Sequence, residues 1–256
     1  MQPFQPAPVL FALAFALSTP ALAHFQEIIP SGDVLTDGGA VSFDLKFTHP
    51  FEGGPLMSME RPVRVGVFRD GAITDLSPAL VDVPVDGKSA WRLDDALPEP
   101  GAAVYFVEPQ PYWEPAEGKY IIHYAKVVVD SYASGEGWNE LVGLPVEILP
   151  LTRPTGIWAG NAFSGVVLHD GQPLPFAEIE VEFINDGSVA APNDAFITQV
   201  ITADANGTFT YAMPRPGWWG FAALVEGDTQ MVSPEGDEVP VELGALIWVK
   251  ATGMNE

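Results

Sequence analysis

The chain has no cysteine. Disulfides and thiolate ligands are therefore excluded, and any metal site must be built from nitrogen, oxygen or thioether donors. The absence does not fix the compartment, because exported domains of this size fold without disulfides. Basic residues are scarce too: 11 Lys and Arg stand against 34 Asp and Glu among 256 residues, a formal charge of −23. Such a surface lacks the cationic footprint that nucleic acid requires and is repelled by anionic membranes, while it concentrates cations. Neither a nucleic-acid partner nor direct membrane insertion is expected. The sequence contains no P-loop, no G-x-G-x-x-G, no G-x-S-x-G and no H-E-x-x-H, which removes the common signatures of nucleotide, hydrolase and zinc-protease chemistry. Helical periodicity is weak, and beyond the first two dozen residues no apolar run is long enough for a membrane helix.

What is present begins with an export signal. Residues 9–17 (VLFALAFAL) form an apolar run of signal-peptide length, and Ala21-Leu22-Ala23 is an A-x-A cleavage site. The first eight residues depart from the pattern in having no Lys or Arg. Residues 1–23 are read as a cleaved signal peptide. Cleavage after Ala23 makes His24 the first mature residue, so that its α-amine and imidazole Nδ1 can chelate one metal. That amine, with an ordinary pKa of about 8, must lose its proton to bind.

Residues 41–49 alternate, with Val41, Phe43, Leu45, Phe47 and His49 on one face, as a half-buried strand does. The loop that follows, HPFEGGPLMSMERP, gathers His49, Met57, Met59 and Glu60. Imidazole suits late divalent transition metals and thioether adds a soft donor; the methionines alternatively fill a gap in the core. Further strands are expected at 63–68, 81–85, 89–93, 102–108 and 120–130. In the last, Ile121, His123, Ala125, Val127 and Val129 share a face, so His123 needs a ligand or a hydrogen-bond partner. Lys126, on the other face, is expected to pair with a glutamate. The candidate metal ligands are thus His24, His49, His123, Met57, Met59 and Glu60.

Residues 149–156 (LPLTRPTG) carry two prolines and a glycine and read as a linker. Beyond it, strands are expected at 164–168, at 177–183 with Ile179, Val181 and Phe183 inward and Glu178, Glu180 and Glu182 outward, and at 218–225 and 245–250. The runs 198–202 and 208–213 flank Asp204-Ala205-Asn206-Gly207, a hairpin signal. His169 lies in an Asp-Gly turn and is expected at the surface rather than at a metal. The fold class is all-β: two antiparallel β-sandwich domains, 24–148 and 157–256, joined by 149–156.

The segments HFQEIIPS, THPFEGGPLMSMERP, PQPYWEPAEGKYIIHYAKVVVD, TADANGTFTYAMPRPGWWGFAAL and VELGALIWV resemble, in order, those of a periplasmic family. That family is the additional component of energy-coupling-factor nickel and cobalt uptake transporters. The second domain also resembles carboxypeptidase-regulatory or Cna-B-type sandwich modules. The resemblance implies a non-enzymatic periplasmic protein that captures or delivers Ni²⁺ (or Co²⁺) to inner-membrane transporter subunits. Two other readings stay open: a copper enzyme built on a histidine brace, and an adhesive or scaffold module without metal.

Overall fold

The computed structural model describes residues 24–254; the expected signal peptide lies outside them. Almost everything regular is strand, with two single-turn 3-10 segments at Ser77–Ala79 and Asp194–Phe196. The alternating run at 41–47 falls in Gly39–Thr48, which pairs antiparallel with Phe25–Pro30 on one side and Trp91–Leu97 on the other. Val81–Asp82 completes this first sheet. A third, small sheet pairs Ala162–His169 with Val146–Pro150, Gln172–Pro173 and Thr208–Ala212.

Between these two sheets runs one of eleven strands. Its path passes through Gln199–Thr202, Glu178–Phe183, Gly217–Val232, Glu238–Thr252, Lys119–Ser131, Gly101–Glu108, Arg64–Arg69 and Ala72–Asp75. Along this path neighbours are antiparallel except where Lys119–Ser131 meets Glu238–Thr252, running parallel from Tyr120 opposite Val241 to Val127 opposite Trp248. That junction fuses the two halves of the chain. Each face of the sheet then serves a different core. In Glu238–Thr252, Leu246 and Trp248 enter the core that contains Phe25, Phe43, Tyr105 and Val127. Ala245, Ile247 and Val249 enter the opposite core with Phe163, Phe209 and Phe221. Successive residues of a strand point to opposite faces, so a strand serving two cores must be apolar throughout, as ALIWV is.

Three expectations change here. The second core begins at Val146 rather than after residue 156, because Val146–Pro150 crosses to pair with Ala162–His169. The proline-rich stretch is therefore partly strand, and the two sandwiches share a sheet instead of being separated by a linker. The runs flanking 204–207 do not form a hairpin: Gln199–Thr202 pairs with Glu178–Phe183 in the large sheet, whereas Thr208–Ala212 joins the third sheet. The turn is an arch between sheets, held by the Asp204 carboxylate, which accepts from the backbone N–H groups of Asn206 and Thr208. Finally, only Glu178 of the three outward glutamates is exposed. Glu180 and Glu182 are buried, since their face meets the first half of the molecule and not solvent. The expected pairing of Lys126 does occur: its ammonium, 1% exposed, lies 2.7 Å from Glu147. The Glu147 carboxylate also accepts from the N–H groups of Val142, Gly143 and Leu144.

Candidate metal centre

His24 immediately precedes the edge strand of the first sheet, whose first residue, Phe25, pairs with Thr48. His49 follows at the end of the partner strand, so antiparallel pairing sets the two histidines side by side. Their rings meet edge to face at 4.7 Å between centroids. The His24 ring is fixed from one side: Nε2 lies 3.0 Å from a Glu114 oxygen. Glu114 is itself held, its other oxygen accepting from the N–H of Ala116 at 2.9 Å. The contact is electrostatic, at ion-pair distance, and it favours a proton on the nitrogen that faces the carboxylate. Burial pushes the pKa of His24 down, opposed by Glu114 and assisted by His123.

His49 is the anomaly. It is 4% exposed, yet among the described residues neither ring nitrogen has a hydrogen-bond partner. Glu52 lies 3.8 Å from Nδ1, beyond hydrogen-bond length. Burial, then the neighbouring His24, pushes its pKa below the ordinary value, favouring the neutral ring. Buried polar groups are almost always paired, so a neutral imidazole with two idle nitrogens is suited to a ligand. The second sandwich positions it. The Glu182 carboxylate accepts from the N–H of Phe51, and Asn185 donates to the Phe51 carbonyl, fixing the turn that carries His49.

His123 is adjacent but differently employed. Its Nδ1 donates to the His24 carbonyl at 2.6 Å, and its Nε2 lies 3.3 Å from Glu242. The ring rests on Gly244, the residue opposite it in the parallel pair, where a Cβ would sit 2.3 Å from its Cδ2. Glu242 is held down near pKa 2, against the effect of its burial, by His123 and by Lys119. Met57 and Met59 are buried in the first core, Met57 bridging to Phe47 and Met59 receiving a 3.4 Å contact from the Gln26 amide. Glu60 is exposed. The thioethers are packed as core side chains, the alternative reading of their spacing.

Two partners escaped the sequence. Glu114 sits in the aromatic, proline-rich loop that preceded the His123 strand, and Glu242 reaches His123 through the parallel pairing of strands some 120 positions apart. No local pattern identifies either. Among the described residues, the one set of three His or acidic donors lying within 4.8 Å of one another is elsewhere, His169 with Asp170 and Asp228, and it is half or fully exposed. His24, His49 and His123 do not form such a trio, so a metal between His24 and His49 needs a further donor.

Comparison with known proteins places this chain in a family. A family model described as a domain of unknown function (DUF4198) matches residues 21–227. The chain belongs to that family. No curated protein matches it. Among solved structures it is similar to the D0-D1 domain of intimin, at 13% identity over 87% of this chain and 99% of that one, with a TM-score of 0.21. It is also similar to the native conformation of E. coli alpha-2-macroglobulin, 11% identical over 90% of this chain and 14% of that one, TM-score 0.26. BcpA, the major pilin subunit of Bacillus cereus, is 13% identical over 91% and 68%, TM-score 0.21. All three likenesses are too loose to carry an argument about the site.

Proposed function

We propose that the mature protein binds a late divalent transition metal between His24 and His49, as a periplasmic accessory of a nickel (or cobalt) uptake system. The observation that carries this reading is His49, buried with both nitrogens idle beside the ring of His24. The contact from Glu114 adds to it. A carboxylate beside Nε2 favours a proton there and so favours Nδ1 for the metal, the kind of support that metal-bound imidazoles have. The missing donor is the α-amine that signal cleavage would create; in the unprocessed chain His24 N is an amide. Amine, Nδ1 and a second imidazole form a nitrogen-rich set of the kind Ni²⁺ accepts. The acidic surface would gather the cation from solution, and the resemblance of the sequence to nickel and cobalt transport components supplies the partner, inner-membrane transporter subunits. On this reading the metal is cargo.

The same pair of histidines would serve a copper enzyme. Such an enzyme needs its metal open to a substrate, whereas both imidazoles here are nearly covered, with His24 at 9% exposure; burial favours capture over catalysis. Reductant-dependent oxygen consumption by the copper-loaded protein would reverse that preference.

The test compares protein beginning at His24 with protein carrying one extra alanine before it. Every side chain is kept, but the amine becomes an amide nitrogen. Ni²⁺ affinity by calorimetry should fall at least about 10–100-fold, the loss typical of weaker, supporting contacts. It should also weaken as pH drops below about 7, when amine and imidazole take up protons. Equal affinities would remove the amine from the site.

A further inference from the structure

Next to the histidines, and sharing the walls Phe47, Tyr112 and His123 with them, lies a cavity of about 410 Å³. Its remaining walls include Trp113, Tyr120 and Met59. That volume is within the range of small-molecule sites and far larger than a bare metal ion needs. Two aromatic pairs shape it: Phe47 meets Tyr112 edge to face at 5.1 Å, and Trp113 meets Tyr120 at 5.2 Å.

We propose that this cavity binds a small organic cation, an alkylammonium of about the size of choline, against the faces of these aromatic rings.

Charge decides the class. No lysine or arginine lines the cavity, and the carboxylate among its lining residues is Glu60. Glu114 lies on the strand of Tyr112 and Trp113, with Glu117 in the turn beyond it, and Glu242 stands against His123. Lys119, the nearby cation, is committed to Glu117 and Glu242 at 2.6 and 2.5 Å. An anion would meet no lysine or arginine among the lining residues. A cation meets aromatic faces, to which it is attracted, in a negative surrounding field. A neutral sugar could stack on the same rings and reach Ser58, Gln110 and Tyr112, which also line the cavity, so glucose is the control in the titration below; two further polar groups are committed elsewhere. The buried Gln26 amide is already spent on the carbonyls of Glu27 and Lys46 and on Met59, and the Tyr120 hydroxyl on the Val232 carbonyl. The inference is independent of the metal reading, since the histidines that would hold the metal, His24 and His49, do not line the cavity.

The experiment uses metal-free protein beginning at His24, titrated with choline and with neohexyl alcohol, the uncharged isostere in which carbon replaces nitrogen. Binding is followed by tryptophan fluorescence and calorimetry. Choline should saturate, and the isostere should bind about 2- to 30-fold more weakly, the span expected for cation–aromatic attraction. Trp113→Ala should weaken choline, whereas Trp113→Phe, which keeps an aromatic face, should retain most of the binding. Thermal melts of both variants establish that they are folded. Equal affinity for the isostere, tighter binding of glucose than of choline, or no saturation by choline up to about 10 mM would overturn the proposal.

Discussion

Replacing His49 with leucine should make the metal-free protein more stable while removing its response to nickel. His49 is almost fully buried, and both ring nitrogens lack partners. A buried donor or acceptor without a partner costs about 1–3 kcal/mol. A hydrophobic side chain of similar volume removes that cost and introduces packing changes of less than about 1.5 kcal/mol. The net expectation is a gain of up to about 3 kcal/mol, which for a chain of this length raises the melting temperature by up to roughly 10 °C. Nickel acts in the opposite direction on the comparison. At a free concentration a hundred times its dissociation constant it stabilises the wild-type fold by about 2.7 kcal/mol, whereas the leucine variant has lost one of two imidazoles and should show little shift. The assay is thermal denaturation followed by circular dichroism, on both proteins beginning at His24, with and without Ni²⁺. A metal-free variant less stable than wild type would mean that the nitrogens of His49 are satisfied. A nickel shift of wild-type size in the variant would mean that His49 holds no metal.

Two further outcomes follow from the surroundings of the site. Burial, with Glu242 and Glu182 nearby, raises Glu180 from the ordinary 4.5 to about 8. The folded protein then holds a proton that the unfolded chain releases, so this contribution is fully present below about pH 4.5 and is lost as pH rises to about 8. Glu180→Gln should therefore match wild type in urea unfolding at pH 4 and exceed it at pH 8 by at most about 4 kcal/mol; no gain at pH 8 would refute the assignment. Gly244→Ala should displace the His123 ring, because the new Cβ would lie 2.3 Å from it. The cost should be about 1–3 kcal/mol, and NMR of the His123 imidazole should report loss of the Nδ1 hydrogen bond to His24. An unchanged His123 spectrum would show that the ring does not rest on this glycine.

By itself the sequence determined the all-β character and most of the strands. Period-two alternation at 41–47 and 120–130 is a local property, and the backbone rise that produces it is local as well. It also identified His24, His49 and His123 as the histidines worth placing together, on the strength of the faces they occupy and the processing site before His24. It could not show that His49 would be left without a partner, because that depends on Glu182 and Asn185, contributed by the other half of the chain, fixing the turn beside it. Nor could it show that Glu180 and Glu182 are buried: their strand alternates as a solvated strand would, and only the docking of the first half against their face excludes water. The methionines are buried for a related reason, since closeness in sequence does not direct two thioethers away from a core that can bury them. The parallel seam between Lys119–Ser131 and Glu238–Thr252 joins the two halves of the chain. Pairing at such separation leaves no periodic mark on either strand, and it alone brings Glu242 and Gly244 to His123.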